Sequence, residues 1–91
     1  MKLKQHQYDP VVIAKLINAH LGDEFIRGTD VHDLAATVGT KRFYTADNTR
    51  SVTLHSNRLM SPKGRPFVKV TLNRYNAVTG AKLSPHFHQF T

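Results

Sequence analysis

Seven of the thirteen lysine and arginine residues lie after residue 45, where only one of the six acidic residues, Asp47, accompanies them. Ammonium and guanidinium groups bind phosphate and carboxylate, and the guanidinium can do so through two parallel hydrogen bonds. An excess of one charge repels itself, so it is usually kept for a partner of opposite charge. The second half of the chain therefore predicts contact with a polyanion, with a merely solvated basic surface as the alternative.

Other residues that can do chemistry give weaker signals. His86 and His88 are spaced to place two imidazoles on one face of a strand, but nothing in the sequence brings a third ligand to them. The chain has no cysteine, no paired carboxylates in its basic half and no glycine-rich phosphate loop. We therefore expect a protein that is not an enzyme and that has no catalytic residues, no metal and no cofactor.

The composition restricts the class of protein further. The chain has 91 residues, of which 40% are hydrophobic, and a formal net charge of +7. This length predicts one domain over residues 1–91. No apolar run is long enough to cross a bilayer, and no hydrophobic stretch follows the basic N-terminus as in a secretory signal. We expect a cytoplasmic protein without a membrane partner.

Two helices are predicted in the first half of the chain. Asp9 can cap a helix over 10–21, Pro10 suits its first position, and Gly22 suits its end. Apolar residues recur there at steps of three and four, which gives one buried stripe. A second, shorter helix is predicted over 30–38, with Thr29 or Asp30 as its cap and Gly39 after it.

The rest of the chain reads as strands and turns, with one ambiguity. Residues 40–60 fit a strand by the alternation in 51–55, and equally a helix that begins near Asp47 or Asn48. A strand over 68–72 is followed by a turn over 76–80 and a return strand from residue 81. Residues 1–8 are expected to be a flexible basic arm, for which a frayed terminus is the simplest account.

The order of these elements resembles a winged helix-turn-helix DNA-binding domain. The resemblance is carried by Phe25 to Gly39, with Asp33-Leu34-Ala35 inside a helix and Val38-Gly39 at its end. It implies an α+β, winged-helix-like fold with two N-terminal helices, a third recognition helix at about 47–60 and a C-terminal antiparallel β-hairpin as the wing. Residues 40–47 form a longer and more aromatic connection than the short turn of that family.

The resemblance also implies a nucleic-acid-binding surface and a duplex-DNA-binding regulator of transcription. The third helix would read base edges, while the loop and wing would hold phosphates. The helix residues are Thr49, Arg50, Ser51, Thr53, Asn57 and Arg58. The phosphate-binding residues are Lys63, Arg65, Lys69, Arg74 and Lys82.

Two further partners fit the same composition. One is an acidic protein surface, which a basic sheet would contact as small phage- or plasmid-encoded modulators do. The other is RNA or the ribosome, bound by a sheet face that carries Tyr44, Tyr75 and Phe67. A helix at 47–60 favours reading of a DNA groove, whereas a strand there favours one of these two alternatives.

Overall fold

The fold is known from a computed structural model that describes residues 3–36, 39–56 and 67–91. Two helices and five strands follow in the order β1 (Leu3–His6), α1 (Pro10–Leu21), α2 (Gly28–Ala35), β2 (Gly39–Tyr44), β3 (Arg50–Ser56), β4 (Val68–Arg74) and β5 (His86–Phe90). The described residues therefore form a small α+β domain, which confirms the α+β class and the two N-terminal helices but not the winged-helix topology. Its five-stranded sheet has more strands than a wing.

Local signals at its ends explain α1, whose predicted bounds are confirmed. The side chain of Asp9 accepts hydrogen bonds from the backbone N–H groups of Val11 and Val12. Gly22 ends the helix with φ of 78°, and its N–H donates to the carbonyl of Asn18. Both ends thus satisfy backbone groups that a helix leaves unpaired.

The second helix begins earlier and ends earlier than predicted. The carboxylate of Asp30 accepts a hydrogen bond from the backbone N–H of Arg27 at 2.9 Å, so Asp30 caps the helix from its third position. The helix ends at Ala35, and Gly39 is the first residue of β2 rather than a helix stop. Residues 37 and 38 of the predicted helix lie outside the described residues.

The sheet is mixed, with strand order β1-β5-β4-β3-β2. Its four later strands pair antiparallel, and β1 pairs parallel with β5. The N-terminal residues 3–6 are thus part of the sheet, not a free arm, because β5 offers them an unpaired edge. Antiparallel pairing of β4 with β5 agrees with the predicted hairpin, but that hairpin lies inside the sheet.

The prediction of a helix across 47–60 is wrong for residues 50–56, which form β3. Val52 and Leu54 are buried together against α1, and β2 and β4 pair with both edges of the strand. Asp47, Asn48 and Thr49, the predicted helix caps, form the β2–β3 turn, where Asn48 has φ of 58°. Short polar side chains suit turns as well as they suit helix caps, so the local pattern did not distinguish the two.

Both helices lie on one face of the sheet, and the core fills the space between. Residues of even number in β3 and β4 point to this helical face, as do Phe43 of β2 and Phe90 of β5. The core residues are Ile13, Ala14, Ile17, Leu21, Ile26, Val31, Ala35, Val52, Leu54, Val68, Val70, Leu72 and Phe90. The opposite face of the sheet carries neither helix.

Candidate nucleic-acid interface

The face of the sheet opposite the helices is here called the open face. The strand register and the alternation of side chains place its members at Gln5, Thr40, Arg42, Tyr44, Ser51, Thr53, His55, Lys69, Thr71, Asn73, Phe87 and Gln89. Seven of these residues are threonine, serine, glutamine or asparagine, which carry a hydroxyl or an amide, and Tyr44 and Phe87 carry aromatic hydrocarbon rings. None of these open-face side chains is a carboxylate.

The acidic residues concentrate on the other side of the molecule. Asp9 caps α1, Asp23 and Glu24 follow that helix, and Asp30 and Asp33 belong to α2. Only Asp47, in the β2–β3 turn, lies at an end of the sheet. The open face therefore carries cations without carboxylates, whereas the helical side carries five of the six acidic residues together with the cations Lys15, Arg27, Lys41, Arg50 and Arg74.

The centre of the open face combines a cation with an aromatic ring. The ammonium group of Lys69 lies 5.1 Å from the centroid of the Phe87 ring, within the range of a cation–π contact. Arg42 faces Thr53 on the neighbouring strand and is exposed. Hydrogen-bonding side chains thus lie between two positive charges, and a phosphate-bearing strand can contact both kinds of group at once.

Several predicted site residues do reach the open face. Ser51, Thr53 and Lys69 are among its members. Lys82 lies directly opposite Tyr75 in an isolated bridge, and opposite residues of an antiparallel pair share a face. Because Tyr75 continues the open-face side of β4, Lys82 adds a third described cation to this side.

Other predicted residues lie elsewhere. Arg50 and Arg74 are opposite each other on β3 and β4, on the helical face. The Arg50 guanidinium lies close to Gly22, since a Cβ atom added to this glycine would be 3.5 Å from it. Thr49 is in the turn, where its hydroxyl donates to Asp47 at 2.7 Å. Asn57, Arg58, Lys63 and Arg65 lie outside the described residues.

His20 lies beside the two arginines, at the end of α1. Its Nε2 atom is 3.0 Å from the backbone carbonyl oxygen of Asn73, a distance suited to donation by the neutral ring. Burial lowers the pKa of His20, and the positive charges of Arg74 and Arg50 lower it further, against the opposing effect of the carbonyl. This imidazole therefore resists protonation more than an exposed one.

A pocket of about 420 Å³ lies at one end of the open face. This tyrosine pocket is lined by the two rings of Tyr44 and Tyr75 and by residues of two turns, namely Asp47, Asn48, Thr49, Asn76, Ala77 and Gly80. Tyr44 is 52% exposed. Phe67, the third aromatic residue expected to stack, is buried and does not offer a free ring.

The pocket contains one carboxylate with an unusual environment. Asp47 Oδ1 accepts hydrogen bonds from the hydroxyls of Thr45 and Thr49, each at 2.7 Å, and from the Thr49 N–H at 3.1 Å. The two hydroxyl bonds, with the N–H after them, lower the pKa of Asp47 to about 2. Its side chain is therefore ionised at neutral pH.

His86 and His88 lie on one face of β5, as their spacing predicts, and His88 contacts a histidine of β1. His88 Nδ1 lies 3.4 Å from His6 Nε2 of β1, and the two rings stack with Phe90. Among the described residues, no group of three metal-ligating side chains comes together. No helix within this part of the chain is both long and apolar enough to cross a membrane.

Sequence reasoning missed Arg42, Phe87 and the pocket role of Asp47. Lys41, Arg42, Phe43 and Tyr44 do not alternate between polar and apolar, so the sequence pattern gives no signal for the face that Arg42 occupies. Comparison of the chain with family models, with curated proteins and with solved structures finds no match.

Proposed function

We propose that this protein binds single-stranded nucleic acid, preferably RNA, on the open face of its sheet. The observation that carries the proposal is the composition of that face, which combines Arg42 and Lys69 with the rings of Tyr44 and Phe87 and contains no carboxylate. Cations hold the phosphates of such a strand, and aromatic rings stack on its unpaired bases.

The β-strand formed by residues 50–56 favours binding of single-stranded nucleic acid over binding of a duplex. Reading a DNA groove in the manner of a winged helix needs a recognition helix, and residues 50–56 are extended. Bases inside a duplex do not offer their faces for stacking, whereas unpaired bases do. The exposed ring of Tyr44 can therefore stack on a base of a single strand but not on a base inside a duplex.

The polar side chains of the face favour RNA. Thr53 and Thr71 pair across β3 and β4 at the centre of the face, and Gln89 follows on β5. Their hydroxyl and amide groups can donate to or accept from the ribose 2′-hydroxyl, which DNA lacks. An acidic protein surface, the other alternative, would contact the cations but would offer no unpaired bases on which the aromatic rings could stack.

The test measures fluorescence anisotropy of labelled oligonucleotides of about ten nucleotides, a length suited to a small single-strand site. Single-stranded RNA, DNA of the same sequence and duplex DNA are titrated with the protein. We expect affinity to decrease in that order. Tighter binding of the duplex, or binding of an acidic protein with no binding of either single strand, would overturn the proposal.

A matched pair of variants separates stacking from loss of structure. We expect Tyr44→Ala to weaken RNA binding by roughly five- to a hundredfold, the cost of one stacked base. The control is Phe25→Ala, which removes an aromatic ring that is 40% exposed on the helical side. Equal affinities for the wild-type protein and the Tyr44 variant would contradict a stacking role.

A further inference from the structure

The tyrosine pocket differs in charge from the open face that it adjoins. It contains Asp47, the one acidic residue outside the helical layer, while the face beside it is cationic. An ionised carboxylate repels phosphate, so a bound strand would not place its backbone there. The group that enters the pocket has to be neutral and has to donate hydrogen bonds.

The size and walls of the pocket suit a base. Its volume of about 420 Å³ falls within the range of small-molecule sites. Tyr44 and Tyr75 supply two rings, and a base has a flat face that stacks on such rings. The pocket lies at the end of the surface on which the proposed strand runs, so one base can turn into it while its neighbours stay on the sheet.

The one charged group of the pocket, the Asp47 carboxylate, is an acceptor, and the side chains of Asn48, Asn76 and the two tyrosines around it can both donate and accept. The hydrogen bonds of Asp47 within the described residues all go to Oδ1, which leaves Oδ2 as an acceptor.

Among the bases, guanine presents two adjacent donors on one edge, its N1–H and its N2 amino group. Adenine and cytosine place an acceptor beside their amino group, and the single N–H of uracil lies between two carbonyls. An acceptor-only carboxylate would face those neighbouring acceptors at a cost, whereas the guanine edge offers donors alone. The carboxylate of the pocket therefore favours guanine.

We propose that the tyrosine pocket binds one guanine base of the strand held on the open face, with the donor edge of guanine directed to Asp47. This inference rests on the proposed function, because the strand delivers the base to the pocket. Asp47 would act as a specificity-determining residue, while Tyr44 and Tyr75 would supply stacking to any base.

The test compares oligouridines of about ten nucleotides that carry one central substitution. The central base is uracil, adenine, guanine or inosine, and the last of these lacks the N2 amino group of guanine. We expect guanine to bind on the order of tenfold tighter than uracil or adenine, with inosine between them. This comparison uses the wild-type protein and needs no variant to fold.

The variant Asp47→Asn tests the carboxylate itself. Its amide oxygen can still accept the hydrogen bonds that Oδ1 accepts, while an amino group replaces Oδ2 and donates instead. We expect the preference for guanine, measured as the ratio of the affinities for the guanine-containing and all-uridine strands, to vanish. Asp33→Asn removes the same charge from the helical layer and should leave the preference unchanged.

The outcomes separate this inference from the proposed function. Equal binding of all four strands by the wild-type protein, or a guanine preference that survives in the Asp47 variant, would refute the guanine pocket but leave the open-face proposal standing. Failure of every single strand to bind would overturn both.

Discussion

The cations of the open face make the dependence of binding on salt predictable. On this face and its rim the described cations are Arg42, Lys69 and Lys82. Each phosphate neutralised on a single strand contributes about −0.7 to the slope of log affinity against log salt concentration. Three contacts give a slope of about −2, so affinity should fall roughly twentyfold between about 50 and 200 mM salt.

The double variant Arg42→Gln, Lys69→Gln should reduce that dependence. One of the three contacts remains, which gives a slope of about −0.7 and a loss of roughly threefold over the same salt range. Cations outside the described residues contribute equally to both proteins, so the tested quantity is the difference in slope of about 1.4. Fluorescence anisotropy of a labelled RNA strand at several salt concentrations measures it.

The control is the variant Lys15→Gln, Lys41→Gln. It removes the same charge from an exposed position on α1 and from the helical face of β2. Its slope should match that of the wild-type protein. If both double variants change the slope equally, binding depends on net charge alone, and the argument that one face carries the site is refuted.

Three predictions concern stability. The pKa of His20 is lowered in the folded state, mainly by burial, so the unfolded chain binds this proton more readily and the free energy of unfolding should fall as pH drops below about 6.5. This loss, at most about 1.4 kcal/mol per pH unit, should be smaller in His20→Gln, as measured by urea unfolding at several pH values; identical pH profiles would contradict it. Asn18→Ala should cost about 2–3 kcal/mol, because the side chain donates to the carbonyl of Ile26 at 2.7 Å and accepts from the N–H groups of Phe25 and Ile26. Asp9→Ala should cost about 1 kcal/mol through loss of the helix cap, and thermal unfolding of both variants checks these values, with an unchanged midpoint as the contrary result.

The first helix and the last turn were predictable because their signals are local. The start of α1 is set by Asp9 and Pro10 and its end by Gly22, independently of what the helix packs against. Gly80 has φ of 70° in the predicted turn, a conformation that glycine adopts at little cost. The bounds of α2 were less accurate, since its cap comes from the side chain of Asp30 inside the helix.

The middle of the chain was not predictable from local pattern. Val52 and Leu54 suit either a strand or a helix, and pairing with β2 and β4 decides between them. The same holds at the N-terminus, where residues 3–6 become a strand only because β5 lies beside them. Lys69 was predicted to contact the partner. Its neighbour Phe87 was not, because Phe87 lies in β5, whereas the sequence pattern predicts that this return strand begins earlier, at residue 81.

The parallel pairing of β1 with β5 has a consequence for how the chain folds. Leu3 is matched with Phe87, and the N–H of Thr91 donates to the carbonyl of His6, so these contacts join residues that are far apart in the sequence. β1 can pair only after the much later residues of β5 are in place. Such distant contacts slow folding, and until they form β5 keeps an unpaired edge to which another copy of the chain can attach.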